Sequence, residues 1–168
     1  MANILFISEK KLKSESYIND NVGNEFILPA ILSAQDMKLQ PLLGCSLYAK
    51  LKSDVAGQGP AGKYKILMDD YIKPFLIYAV MADIQVPLAF KMRQNGIVQA
   101  NNDYTYNQGK TDVDALKRYY EDKMNWYGFR MTDYLNNNKQ DIPEYCDNSC
   151  GCKSDLRQGF DSGIYLGK

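Results

Sequence analysis

One segment near the middle of the chain restricts the fold most, because it is apolar around nearly the whole circumference of a helix. Between Tyr64 and Gln94, apolar residues recur every three or four positions, at Leu67, Tyr71, Phe75, Tyr78, Ala82, Val86 and Ala89. A second set widens the apolar face: Ile72, Leu76, Ile77 and Ala79. A helix of this kind must be enclosed by other helices. The segment therefore predicts an all-α helical bundle built around it, with kinks or a break near its two prolines, Pro74 and Pro87, and an end at Gly96.

Three further helices are predicted around this central one, giving a bundle of about four. The first is predicted over Glu25–Leu39 and is stopped by Pro41, and the second over Ser46–Val55. The last, Asp112–Leu135, has the most regular amphipathic pattern in the chain. Before them, Asn3–Ile7 is short and apolar, which is typical of a strand or of an arm that pairs with another chain.

Two aromatic residues of the last predicted helix do not follow its apolar stripe. Trp126 and Phe129 lie outside the run of Val113, Leu116, Tyr120, Met124, Tyr127, Met131 and Tyr134. This displacement predicts a second contact surface on that helix.

The character of the sequence changes at about residue 141, so we divide the chain into a helical domain (residues 1–140) and an extended C-terminal arm (residues 141–168). The arm has no helical stripe, but it contains apolar side chains, namely Leu156, Phe160, Ile164, Tyr165 and Leu166. Because these residues have no local core partner, the arm is predicted to dock on another chain.

Composition excludes several classes of function. The chain has 20 basic and 20 acidic residues and no histidine, which argues against a general nucleic-acid binder and excludes histidine-dependent catalysis and metal binding. Its 13 tyrosines suit protein interfaces. We find no signal peptide and no apolar run of the roughly 18 residues that a membrane span needs. We therefore expect a soluble protein, without a membrane partner, made in a reducing compartment.

Three clustered cysteines are the one group with metal-ligand chemistry. Cys146, Cys150 and Cys152 are weak zinc candidates that require a fourth ligand, such as Cys45 or Asp147. A disulfide within the cluster and free thiols are the alternatives, and both stay open. Cys45 itself is typical of a small core residue.

No other residue pattern predicts catalysis or a cofactor. Asp69 and Asp70 are adjacent on a helix, so their carboxylates point about 100° apart and do not converge. The glycines of residues 56–62 lack the Lys-Ser/Thr that completes a phosphate-binding loop. Four basic residues flank the central helix and would allow non-specific phosphate contact in an oligomer: Lys63, Lys65, Lys91 and Arg93.

The order of the predicted elements resembles a known class of viral protein. Residues 35–51 read QDMKLQPLLGCSLYAKL, followed by a glycine-containing loop, the long apolar helix (YIKPFLIYAVMADI) and a tyrosine-rich last helix. This arrangement is similar to the head–tail connector (adaptor, or neck ring) proteins of tailed bacteriophages, and most similar to those of crAss-like phages. The PLLG-x3-Y stretch is its most specific part.

The resemblance implies a non-catalytic virion protein, made in the host cytoplasm, that forms a ring of typically twelve copies at the head–tail junction. It implies that the arm, around Phe160, Ile164, Tyr165 and Leu166, docks on the portal protein. The opposite face would receive further neck or tail ring proteins, and the lumen would allow DNA to pass. The loop of residues 97–108, with Tyr104 and Tyr106, would lie at a ring face or the lumen. The alternatives are another neck or tail-completion ring protein, and a small cysteine-based metal-binding interaction module.

Overall fold

The structure, a computed structural model, describes residues 4–93, 96–99 and 110–145. Within these residues it is an all-α helical bundle with one short hairpin, so the predicted fold class is confirmed. Helix α1 is Glu9–Glu15, and α2 (residues 24–43) joins Asn24–Ser33, the π-helical Ala34–Leu39 and Gln40–Leu43. Helix α3 is Cys45–Ala56, and α4 (Gly62–Ala89) joins Gly62–Ile66, the π-helical Leu67–Ile72 and Lys73–Ala89. Helix α5 is Lys110–Asn137, and a 3-10 turn follows at Pro143–Tyr145.

Helix α4 lies at the centre of the bundle, as its apolar circumference predicts. It packs most extensively against α5 and also against α2. Its fully buried side chains include Leu67, Ile72, Leu76, Ala79, Val80, Ala82 and Ile84. By length and composition alone α4 could also cross a membrane, but half of its most apolar window is buried inside the bundle, which is the environment of a core helix.

Pro41 does not end its helix, and neither Pro74 nor Pro87 breaks the central helix; the kinks predicted near Pro74 and Pro87 stay a prediction. Helix α2 continues past Pro41 to Leu43, and α4 continues past Pro74 and Pro87 to Ala89. A π-helical segment precedes both Pro41 and Pro74, so the backbone N–H groups at those segment ends bond five residues back, from Gln40 to Gln35 and from Lys73 to Met68. The wider turn takes an extra residue into the helix just before each proline. The predicted stop at Pro41 was therefore wrong.

The predicted end of the central helix was also wrong. After Ala89 the chain enters an antiparallel hairpin of β1 (Phe90–Arg93) and β2 (Gly96–Gln99), in which Phe90 lies opposite Gln99. Gly96 is consequently the first residue of β2, not a helix cap.

The N-terminal segment packs into the bundle of its own chain. Phe6 and Ile7 are buried in the core. The backbone N–H of Phe6 donates to Oε1 of Gln35 at 2.8 Å, and Nε2 of Gln35 donates to the carbonyl of Ile4 at 3.2 Å. Gln35 is fully buried and is the one polar side chain in the described core. The prediction of a strand or of an arm for another chain was therefore wrong for residues 4–7.

The bundle also extends beyond residue 140. Ile142 and Tyr145 are buried in the same core as the helices. The first five residues that we assigned to the arm thus belong to the packed domain.

Candidate protein-binding surface

The two aromatic residues that leave the apolar stripe of α5 are exposed, as their position predicted. Trp126 is 54% exposed and Phe129 is 66% exposed. Large apolar side chains exposed to this extent on one helix are typical of interaction sites when they lie in a continuous patch. The side chains of α4 and α5 next to Trp126 and Phe129 therefore show whether each of the two lies in such a patch.

Trp126 belongs to a row of aromatic and cationic side chains along the seam between α4 and α5. Tyr71 stacks on Tyr134 with ring centroids 4.7 Å apart, and Tyr78 stacks on Tyr127 at 5.4 Å. We call the full set the aromatic strip, consisting of Tyr71, Tyr78, Tyr119, Lys123, Trp126, Tyr127, Arg130 and Tyr134. From Tyr119 to Tyr134 it is about 22 Å long at the rise of an α-helix.

The two cations of the strip lie over its aromatic rings. The guanidinium of Arg130 is 4.8 Å from the ring centroid of Trp126 and 5.3 Å from that of Tyr71. The ammonium of Lys123 is 4.3 Å from the ring of Tyr119 and 5.4 Å from that of Tyr78. The negative faces of the rings attract the cations, and these contacts hold long, flexible side chains in one conformation.

Neither cation forms an ion pair with a carboxylate of the described residues. A hydrogen bond with Tyr119 raises the pKa of the Lys123 ammonium above its ordinary value, so the charge is present throughout the physiological range. The strip thus presents two oriented positive charges among tyrosine and tryptophan rings. Trp, Tyr and Arg are the residues that dominate binding energy in protein interfaces.

Most of this surface is not visible in the sequence. The spacing within each helix predicts that Tyr71, Tyr78 and Tyr127 lie on apolar stripes, which is right for their half-buried rings, but no pattern within one helix reveals that they stack across two. The tyrosine content and the displaced Trp126 were the available signals.

Phe129 follows Trp126 by three residues and therefore lies about 60° from it around α5, at the rim of an apolar groove. The groove has a volume of about 230 Å³ and runs between α2 and α5 over Phe75; its lining residues are Lys38, Leu42, Phe75, Met124, Asn125, Gly128 and Phe129. Lys38 forms an ion pair with Asp83 of α4 at 2.7 Å. Because α2 borders the groove and the strip follows the seam between α4 and α5, the strip and α2 lie on different sides of α5.

A set of polar contacts ties the last described residues of the chain to the start of α4. The hydroxyl of Tyr64 donates to Glu144 at 2.6 Å, and Lys63 pairs with Asp141 and donates to Asn138. Burial, followed by the hydrogen bond to Glu144, raises the pKa of Tyr64 to about 12. Lys63, which we had considered for phosphate contact, thus has carboxylate and amide partners within the chain.

Most of the predicted site residues lie outside the described part of the chain. These are the arm residues Phe160, Ile164, Tyr165 and Leu166, the loop residues Tyr104 and Tyr106, and the cysteines Cys146, Cys150 and Cys152. Their predicted roles therefore stay predictions.

The structure changes the interpretation of Cys45. This residue is half-buried and disulfide-bonded. The prediction of a simple core thiol was wrong, and an oxidised Cys45 provides no thiolate as the fourth ligand of a zinc site. The described residues contain no group of three or more metal-ligating side chains.

The PLLG-x3-Y stretch forms a structural turn in the bundle. Gly44 separates α2 from α3 with φ +80° and ψ 163°, a conformation that is essentially restricted to glycine. One turn later, Tyr48 is buried against Phe6 and its hydroxyl donates to Asp36 at 2.6 Å. Burial, followed by this hydrogen bond, raises the pKa of Tyr48 well above its ordinary value. The stretch therefore holds α2, α3 and the N-terminal segment together.

The described residues define a small all-α bundle with one aromatic, cationic surface of the kind that binds other proteins. The chain belongs to the DUF6712 family, a family of unknown function, whose profile matches residues 39–155. The match covers more than half of the chain, from the end of α2 through α5. Searches of curated proteins and of solved structures found no significant match.

Proposed function

We propose that this protein is the subunit of a head–tail connector ring in a tailed bacteriophage and that it acts by assembly and not by catalysis. The observation that carries the proposal is the aromatic strip, in which Trp126 is 54% exposed beside two oriented cations. An exposed surface rich in Trp, Tyr and Arg is typical of protein interfaces, and a ring subunit must bury a surface against each neighbour. The all-α bundle and the connector-like order of its helices support the same proposal.

The C-terminal arm would provide the contact with the portal protein. The bundle holds the start of the arm firmly, because Tyr145 is buried and Glu144 accepts a hydrogen bond from Tyr64. We propose that Phe160, Ile164, Tyr165 and Leu166 insert into the portal, and that further neck or tail ring proteins bind the opposite face. In a twelve-fold ring, the lumen would allow DNA to pass with at most non-specific contact through the loop that contains Tyr104 and Tyr106.

The test measures binding of the full chain and of a chain lacking residues 158–168 to the portal protein encoded beside it. We expect the full chain to form a ring-sized complex in native mass measurements and the truncated chain to lose portal binding while keeping its helical circular dichroism spectrum. A matched control replaces residues 158–168 with a Gly/Ser sequence of equal length.

Two results would contradict the proposal. Undiminished portal binding by the truncated chain would remove the role of the arm. A ring that forms without any affinity for the portal would favour the alternative of another neck or tail-completion ring protein.

A further inference from the structure

We propose that the aromatic strip binds the exposed face of α2 on a second copy of this chain, so that copies join head to tail. The inference deepens the proposed function and rests on it, because it assigns the two surfaces through which neighbours in the ring would meet. The expected partner of the strip is a second copy of the same chain, because the two surfaces have opposite charge and lie on different parts of the molecule.

The exposed face of α2 has the opposite chemistry to the strip. The exposed residues of α2 are Asn24, Glu25, Leu28, Pro29, Asp36, Met37 and Pro41. They include two carboxylates and no cation, and Met37 is 73% exposed. The π-helical turn at Ala34–Leu39 brings Asp36 and Met37 to the outward side on which Glu25 and Leu28 also lie.

The two carboxylates differ in how far they are already satisfied. Asp36 accepts a hydrogen bond from Tyr48 at 2.6 Å and lies 3.8 Å from the ammonium of Lys52. Glu25 forms no ion pair within the described residues. Glu25 is therefore the carboxylate of this face with most to gain from a cation on a second copy, and Arg130 and Lys123 are cations that pair with no carboxylate among the described residues.

The positions of the surfaces favour a ring over a closed pair. Lys38 and Leu42 of α2 face α5 across the groove, whereas Tyr71 and Tyr78 contact α5 on the strip side. A contact between two different surfaces leaves one surface of each kind free on every dimer. Such head-to-tail contacts continue until the ring closes.

The test reverses one charge on each surface. We expect Arg130→Glu to raise the dissociation constant for self-association by at least about tenfold, measured by sedimentation with and without the portal protein, and Glu25→Arg to do the same. Arg118→Glu is the matched control, because Arg118 is exposed on α5 away from the strip. We expect it to assemble as the parent does.

Mixing the two variants tests the pairing itself. Equimolar Arg130→Glu and Glu25→Arg chains should assemble together, because each reversed surface meets the other and each native surface meets a native one. A strip that binds a second strip would instead leave self-association of the Glu25→Arg chain unchanged. If Arg130→Glu loses its fold by circular dichroism, Trp126→Ala replaces it, with the same expected loss.

The outcomes separate this inference from the proposed function. A parent chain that stays monomeric even with the portal protein would overturn both. A parent that assembles while Arg130→Glu and Trp126→Ala assemble equally well would overturn the inference alone. The same holds if Arg130→Glu lowers binding to a short DNA duplex and leaves self-association unchanged.

Discussion

Gln35 shows how much one buried polar residue contributes to this bundle. Its side chain satisfies the backbone N–H of Phe6 and the carbonyl of Ile4, both of which belong to a segment that has no regular secondary structure of its own. Without Gln35, the burial of Phe6 would carry unpaired backbone groups into the core. Such groups cost about 1–3 kcal/mol each.

We therefore predict that Gln35→Leu lowers the free energy of unfolding by about 1–3 kcal/mol and speeds hydrogen exchange at the amide of Phe6. Urea denaturation and exchange mass spectrometry measure the two effects. Gln85→Leu is the control, since its side chain bonds a carbonyl within its own helix, and it should change stability by less than about 0.5 kcal/mol. Equal losses for the two variants would contradict the role of Gln35.

The sequence could reveal the burial of Gln35 only indirectly. The apolar stripe of the first predicted helix fades after Ala34, so the stripe does not predict that the next residue is buried. The burial of Gln35 depends on a contact with residues about 30 positions earlier in the chain, which no local pattern contains.

At the scale of elements, the helices themselves were predictable and their ends were not. The apolar spacing of α4 and α5 predicted both helices, because burial on one or more sides produces periodicity in any sequence. The π-helical segments before Pro41 and Pro74 were not predictable, since they depend on how the neighbouring helices pack. A hairpin at Phe90–Gln99 was not predicted because Lys91 pairs with Val98 and Met92 with Ile97, and such pairs are not visible in either strand alone.

The same reasoning applies to the aromatic strip. Trp126 was predicted to leave the buried stripe because a single helix is enough to show it. The stacking of Tyr71 on Tyr134 and of Tyr78 on Tyr127 requires the packing of α4 against α5. The exposure of Trp126 was thus predictable, and the stacked tyrosines that orient the two cations were not.

Two glycines allow the junctions between helices to be tested with one type of substitution. Gly44 has φ +80°, and a Cβ added to it would meet no atom within 4 Å. Gly128 lies inside α5, where a Cβ would lie 3.4 Å from Cε2 of Phe75. The first glycine is therefore required by backbone conformation, and the second is a helical residue with space for a methyl group at contact distance.

We predict opposite signs for the two alanine variants. Gly44→Ala should lower the free energy of unfolding by about 1–3 kcal/mol, the cost of a non-glycine residue in this region. Gly128→Ala should raise it by up to about 1 kcal/mol, because glycine is unfavourable inside a helix. Chemical denaturation of both variants measures the difference, and a loss in both would show that α5 approaches Phe75 too closely for any side chain.

At the scale of the whole molecule, the absence of histidine and the burial of tyrosines together set how stability depends on pH. Without histidine, the chain lacks the one side chain whose ordinary pKa lies between pH 5 and 8. Burial is the main cause that raises the pKa values of Tyr48, Tyr64, Tyr120 and Tyr134 above their ordinary value. The folded state therefore keeps these hydroxyls protonated at pH values where the unfolded chain begins to lose the protons.

Ionisation of the buried tyrosines is expected to lower the stability of the folded state at high pH. In the unfolded chain a tyrosine ionises near pH 10, whereas Tyr64 in the folded chain ionises near 12. Its neutral form thus contributes stability that is fully present below pH 10 and is lost as the pH rises to 12. We predict that the free energy of unfolding falls steeply across this window and that Tyr64→Phe makes the fall shallower, by up to one proton released on unfolding. Tyr17→Phe, at a site that is 85% exposed, is the control substitution. Urea denaturation at pH 9 to 12 gives the slopes, and an identical slope for Tyr64→Phe would show that folding does not raise the pKa of Tyr64.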